Sequence, residues 1–211
     1  MKGAHPKWSP AAIRSAIMTT AKPLDNTLKS IRDNGLKFQF ATPLAMGAGH
    51  IDPNLALDLG LIYDATPQDY INLLYSMKLS KAQMLAIIGS NTYKCTNPSS
   101  DLNYPSFITF YDTKKMSSEV VQNFRRTVTN VVDDVATYKA KIEASKGSTV
   151  IVSPKTLTFK KKNEQQSYTL TIKLRGMKTN DVSFSALVWT DENGKQSVRS
   201  PIVVSPPVGK V

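Results

Sequence analysis

The hydrophobic period of this chain changes once, near Asp101, and that change limits the fold to a helical front and a β-sheet rear. Downstream of it, Phe107, Thr109 and Tyr111 alternate with Ile108 and Phe110, and β-rich runs recur at 120–132, 137–144, 149–160, 167–174 and 183–190. Turn clusters separate them: Asp112-Thr113-Lys114, Asp133-Asp134, Lys146-Gly147-Ser148, Lys162-Asn163-Glu164, Gly176, Asn180-Asp181 and Glu192-Asn193-Gly194. Short strands at this spacing predict a β-sandwich, and Asn193-Gly194 suits a type I′ hairpin turn. Tyr104, Phe107, Trp189 and Val203 are assigned to its core, because aromatic and β-branched side chains fill an inner sheet face. Arg126 and Arg199 stand inside strands and are assigned to structural ion pairs, across the sheet or between domains.

Upstream the period is helical. Ser9 is placed to cap a helix whose first position is Pro10, where a missing N–H costs nothing. Trp8 and Ile13 have the spacing of a hydrophobic staple. Ile13, Ala16, Ile17 and Thr20 share one face, and Lys22-Pro23 ends the run. Residues 25–37 read as a surface loop with a turn at Asp33-Asn34-Gly35, residues 38–44 as a short extended segment, and Gly47-Ala48-Gly49-His50 as a tight turn. Thr66-Pro67-Gln68-Asp69 and Ser80-Lys81-Ala82-Gln83 are capping boxes. The first opens a helix with Tyr70, Ile71, Leu73, Leu74 and Met77 on its apolar face; the second opens one carrying Met84, Leu85, Ile87 and Ile88, stopped by Gly89.

Chemistry-bearing residues are sparse. With 211 residues, 41% of them hydrophobic and 20% charged, the chain has enough material for one large or two modest globular domains. No apolar run reaches the roughly 20 residues that span a bilayer, and residues 1–10 lack the apolar core of a signal peptide. The net charge of +11, with Lys160-Lys161-Lys162 as its densest run, reads as a solvated face; a polyanion is the alternative partner. Cys95 is the sole cysteine, which excludes an internal disulfide and a cysteine-built zinc site. The two histidines, His5 and His50, have no serine in a nucleophile-elbow setting to serve, and His50 reads as a turn anchor. Histidines and carboxylates do not cluster at ligand spacing, so no metal and no cofactor is expected.

Several strings, in order, resemble plant-type subtilisin-like serine proteases. The stretch 5–21, H-P-K-W-S-P-A-A-I-R-S-A-I-M-T-T-A, resembles the segment behind that family's catalytic serine. Thr42-Pro43 with Gly47-Ala48-Gly49-His50, and Asp52-Pro53-Asn54, resemble the loop and helix start that close its protease domain. Residues 56–64, A-L-D-L-G-L-I-Y-D, match another motif with Leu59 in place of its usual proline. Residues 101–107 (D-L-N-Y-P-S-F), 126–131 (R-T-V-T-N-V), 189–191 (W-T-D) and 198–204 (V-R-S-P-I-V-V) are similar to strands of its C-terminal fibronectin type III-like domain. Two departures stand out: Tyr75 occupies a position where many relatives carry a cysteine, leaving Cys95 without that mate, and Val132-Asp133 replaces the usual glycine.

The resemblance implies an α+β chain. Residues 1–100 would be the C-terminal end of the subtilisin α/β catalytic domain, and residues 101–211 an all-β fibronectin type III-like sandwich, the domain itself implied for about residues 101 to 206. The intact family hydrolyses peptide bonds with an Asp-His-Ser triad, and the serine sits in a G-T-S-M segment that this chain begins after. Catalytic, cofactor-binding and metal-binding residues are therefore all expected to be none. The chain's own role would be structural support of the protease or subunit contact; the alternative is an autonomous β-sandwich interaction module or pseudoenzyme. The partners so implied are a protein or peptide substrate of the intact protease, a homodimer mate or the rest of a subtilase domain, with no nucleic acid and no membrane. The implied location is extracellular, in the apoplast or cell wall.

Overall fold

A computed structural model describes residues 1–112, 120–143, 148–175 and 182–207. The expected turns at Thr113-Lys114, Lys146-Gly147, Gly176 and Asn180-Asp181 lie outside the described residues. The rear of the chain is a two-sheet sandwich. One sheet holds, in spatial order, β4 (Phe107–Phe110), β11 (Ser197–Ser205), β10 (Ser183–Asp191), β6 (Ala136–Glu143) and β8 (Thr156–Phe159). The other holds β3 (Leu61–Ile62), β5 (Val120–Asn130), β9 (Gln165–Leu174) and β7 (Ser148–Ser153). All neighbours are antiparallel except β4 and β11. Inward residues of both sheets, among them Phe107, Val128, Tyr138, Leu157, Phe159, Leu170, Ile172, Leu187, Trp189 and Ile202, form one buried core.

Three expectations are corrected here. The run 149–160 is two strands, β7 and β8, in different sheets. They part at Pro154, which has no N–H to continue a ladder. The β10–β11 hairpin forms at Asn193-Gly194, but only Gly194 is left-handed (φ +68°), so the turn is not type I′. The Asp191 carboxylate accepts the Gln196 N–H at 2.7 Å and holds open a four-residue loop, inside which Gly194 N–H bonds the Asp191 carbonyl at 3.0 Å. Tyr104 is half-buried, not core: the Arg14 guanidinium lies 5.1 Å above its ring. Phe107, Trp189 and Val203 are buried as expected.

In the helical front, α1 spans Pro10–Thr19, and Ser9 Oγ accepts the Ala12 N–H at 2.9 Å. Of the expected face, Ala16 and Thr20 are buried, but its two isoleucines are not. Ala11, Ala12, Ser15, Ala16 and Thr19 are buried, whereas Ile13 and Ile17 are half-buried. Ile13, Ile17 and Met18 line a shallow apolar groove of about 380 Å³ with Trp8, whose ring stacks on His5 at 3.8 Å. Small residues win the buried face because they let the helix approach Leu59 and Ile62 closely.

The expected loop at 25–37 contains a strand: β1 (Arg32–Asp33) pairs with β2 (Gln39–Phe40) around a 3-10 turn at Asn34–Leu36, which Asp33 caps through the Gly35 N–H. The short helix α2 (Pro43–Met46) leads to Gly49, whose φ of +121° and whose contact with the Lys22 carbonyl leave no room for a Cβ. That approach lets Lys22 and His50 exchange backbone hydrogen bonds of 2.8 Å. After α3 (Pro53–Leu57), the helices α4 (Pro67–Ser76) and α5 (Lys81–Ile88) both open on the expected capping boxes. Each buries little: Ile71 on α4 and Met84 on α5.

Candidate functional site

The residues with catalytic chemistry do not converge. His5 Nε2 lies 3.0 Å from the Leu57 carbonyl, and His50 acts through its backbone while its side chain faces solvent. Cys95 is a free thiol 3.8 Å from Asn72 Oδ1. That amide oxygen also accepts from Gln68 Nε2 (3.0 Å) and from the Thr96 backbone (3.2 Å), so Asn72 fastens the 94–97 segment to α4. Tyr75, on the same helix, points outward. Among the described residues no three histidine, cysteine or acidic side chains are grouped to hold a metal ion.

A polar cleft of about 520 Å³ lies between the start of α4, the 97–103 segment and β5. Its carboxylates are already engaged. Asp64 accepts from Ser9 Oγ and from Ala65 N–H, Asp69 from both groups of Thr66, and Asp101 from the Arg125 N–H (2.7 Å) and the Arg126 guanidinium. These are capping and bridging bonds that hold segments in place.

What the fold does bring together is a seam between the helical front and the sandwich. The two-residue strand β3 comes from the front yet pairs with β5, Leu61 opposite Asn130 and Ile62 opposite Thr129. Alternation then sends Leu61 and Tyr63 into the sandwich core and Ile62 out against Ala12 and Ala16 of α1. Ser15 Oγ, fully buried on α1, accepts the Tyr63 N–H at 2.9 Å. The Tyr63 hydroxyl in turn lies 2.7 Å from the Tyr168 hydroxyl on β9 and accepts from Ser200 Oγ of β11 at 3.2 Å. One residue thus links α1, through its backbone N–H, to both sheets, through its hydroxyl. Burial pushes both tyrosine hydroxyls above their usual pKa; at Tyr63 the bonds from Ser200 and Tyr168 partly oppose that rise, while at Tyr168 the neighbouring Tyr63 adds to it.

Two further ties close the seam. Gly60 packs against the Tyr138 hydroxyl and Gln196, with no space for a side chain, and Gln196 Nε2 donates to the Asp58 carbonyl at 3.4 Å. Asn103 donates to the Asp64 and Thr127 carbonyls, each at 2.8 Å, and accepts the Thr127 N–H at 2.9 Å. Arg126, 4% exposed, pairs with Asp101, donates to the Tyr104 carbonyl at 2.9 Å and lies 4.7 Å over the Phe107 ring. Arg199 pairs with Glu143 at 3.2 Å, so both strand arginines are structural ion pairs. Lys162 of the basic run is held by Asp133 at 2.8 Å. Sequence reasoning placed Arg126 and Arg199 correctly but missed Ser15, Tyr63 and Asn103. The one available signal for Tyr63 was a polar aromatic inside an otherwise apolar run.

Comparison with known proteins agrees with this architecture. Residues 101–204 match the family model described as a fibronectin type-III domain. The chain is 56% identical over 207 residues to subtilisin-like protease SBT3 of Solanum lycopersicum, covering 98% of this chain and 27% of that protein. It is 42% identical over 196 residues to SBT1.9 of Arabidopsis thaliana (92% and 24%) and 38% identical over 210 residues to SBT1.3 of the same plant (97% and 26%). The chain thus spans about a quarter of the length of these curated relatives. Identity sustained over nearly all of its residues, together with the fibronectin type-III domain in its second half, shows that the chain belongs to the plant subtilisin-like protease family, as a C-terminal portion of such a protein.

Proposed function

We propose that this chain is the structural C-terminal part of a secreted subtilisin-like serine endopeptidase, in which residues 1–100 complete the peptidase domain and residues 101–211 form a sandwich that braces it. The observation that carries the reading is the Ser15–Tyr63–Tyr168 link, which fastens the front helix α1 to the core of the sandwich. The apolar groove of Trp8, Ile13, Ile17 and Met18 lies apart from α1's sandwich-facing residues and suits the packing of further peptidase-domain elements. In such a protease a histidine takes the proton of the nucleophilic serine and an aspartate orients the histidine. This chain's part is to hold the helix behind that machinery at a set depth.

The test separates chemistry from support. The 211-residue chain alone is expected neither to hydrolyse peptides nor to label with a serine-directed phosphonate, and labelling would overturn the reading. Joined in frame behind the upstream portion of the tomato relative, it is expected to give a hydrolysing chimera. A chimera that folds and takes up the phosphonate no faster than denatured protein would count against the bracing role.

A further inference from the structure

The helix α5 has more apolar side chains than its packing uses. Of Met84, Leu85, Ile87 and Ile88, only Met84 is buried, and Leu85 and Ile87 are 51% and 58% exposed. A helix that is apolar over most of its surface is normally covered. Here part of that surface faces a cavity of about 510 Å³ between α1, α4 and α5, walled by Ile71 and Leu74 of α4 and by Ile87 and Ile88 of α5. Its size and its aliphatic lining are those of a small-ligand pocket. Among the described residues on its wall, Arg14 of α1 alone is charged. The guanidinium is held from two sides: it lies 5.1 Å over the Tyr104 ring and donates to the hydroxyl of Tyr70, which lines the same cavity. Neither neighbour neutralises it, and no carboxylate pairs with Arg14 among the described residues.

We propose that this cavity binds the anion of an aliphatic monocarboxylic acid, with the carboxylate at Arg14 and Tyr70 and the hydrocarbon chain against α4 and α5. The pocket's own polarity selects that occupant. A guanidinium carries five N–H donors in a planar fork that matches a carboxylate, and one hydrogen bond to Tyr70 leaves most of them free. The Tyr70 hydroxyl accepts from Arg14 and so keeps its own O–H to donate. The isoleucines and the leucine offer a chain apolar contact only, so affinity grows with each methylene that leaves water. A neutral amphiphile of the same length gains the apolar contacts without the charge-assisted bonds, and a cationic one sets a like charge against Arg14. The polar cleft beside Asp64 does not compete for the anion, since carboxylates line it. Arg14 also borders the groove of Trp8, so the carboxylate end lies where the two depressions meet.

Isothermal titration of the full 211-residue chain with decanoate, kept below its micelle concentration, is expected to show one saturable site with a dissociation constant of about 10–100 μM. Decanol and decylammonium are expected to bind at least about tenfold more weakly. Arg14→Gln is expected to weaken decanoate at least about tenfold and to leave decanol unchanged, while Arg14→Lys, which keeps the charge but not the fork, falls between. Ile87→Glu, at a position exposed enough to keep the parent's circular dichroism, sets a carboxylate on the wall and is expected to abolish decanoate binding. Leu44→Glu on α2, equally exposed and outside the cavity, is the control and binds as the parent does. Uptake at many sites without saturation would overturn the proposal. So would decanol bound as tightly as decanoate, an Arg14→Gln chain of unaltered affinity, or a Leu44→Glu chain weakened as much as Ile87→Glu.

Discussion

Arg126 shows what one side chain can hold at this seam. Its guanidinium pairs with Asp101, donates to the Tyr104 carbonyl and covers the Phe107 ring, so it fastens the segment entering the sandwich to β5. Because Arg126 is buried, Arg126→Ala strips the half-buried Asp101 carboxylate and the Tyr104 carbonyl of a donor and leaves a cavity beside the Phe107 ring. The expected loss is about 3 kcal/mol of unfolding free energy in urea. Asp101 is more exposed, and Asp101→Asn, which keeps the shape and can still accept the Arg125 N–H, is expected to cost about 1 kcal/mol. A smaller effect at Arg126 than at Asp101 would contradict this account. Gly60 acts through space alone: a Cβ there would run into the Tyr138 hydroxyl and come within 2.5 Å of Gln196 Oε1. Gly60→Ala is expected to destabilise by about 1–3 kcal/mol, read as a lower melting temperature. That Arg126 needed a partner was legible from its place in a strand. Which partner was not, since Asp101 lies 25 residues away and nothing local selects it.

Among the elements, those with local instructions were legible. Ser9, Thr66 and Ser80 cap the helices that their spacing indicated, because a cap and its bonded N–H lie three residues apart. The burial of α1 was not legible in the same way. Its large residues mark one stripe, yet the sandwich takes the stripe of alanines, Ser15 and Thr19, where close approach lets Ser15 reach the Tyr63 N–H. Amide exchange on the whole chain should reveal this arrangement. Strong protection is expected in the sandwich strands β4 to β11 and also at Leu61–Tyr63 and Ala12–Ala16, since these belong to the sandwich's own seam. Weak protection is expected over residues 24–57, where Leu28, Phe38, Phe40 and Ile51 are exposed. Protection at β3 as weak as in that segment would show that the front is not fastened to the sandwich.

At the scale of the whole molecule, the two tyrosines at its centre couple stability to alkaline pH. Burial raises both hydroxyl pKa values above the unfolded value near 10, so the folded state holds its phenolic protons more tightly than the unfolded chain. Their contribution is complete below about pH 10 and is lost as pH rises above it. Melting temperature should therefore fall steeply above that point, and a Tyr63→Phe, Tyr168→Phe double variant should flatten the fall while starting from a lower plateau, having lost the 2.7 Å bond. An unchanged slope would remove these groups from the alkaline transition. By itself the sequence determined the caps, the alternating runs, the inward aromatic residues and, through strings kept in order, the family. Tertiary structure decided which stripe of α1 is buried, that residues 149–160 divide between two sheets, and that Leu61–Ile62 of the front becomes a strand of the rear. The reason is range. A cap or a strand's alternation depends on neighbours a few residues away, whereas Ser15, Tyr63, Tyr168 and Ser200 meet across separations of 48 to 137 residues, at a register that no single period specifies.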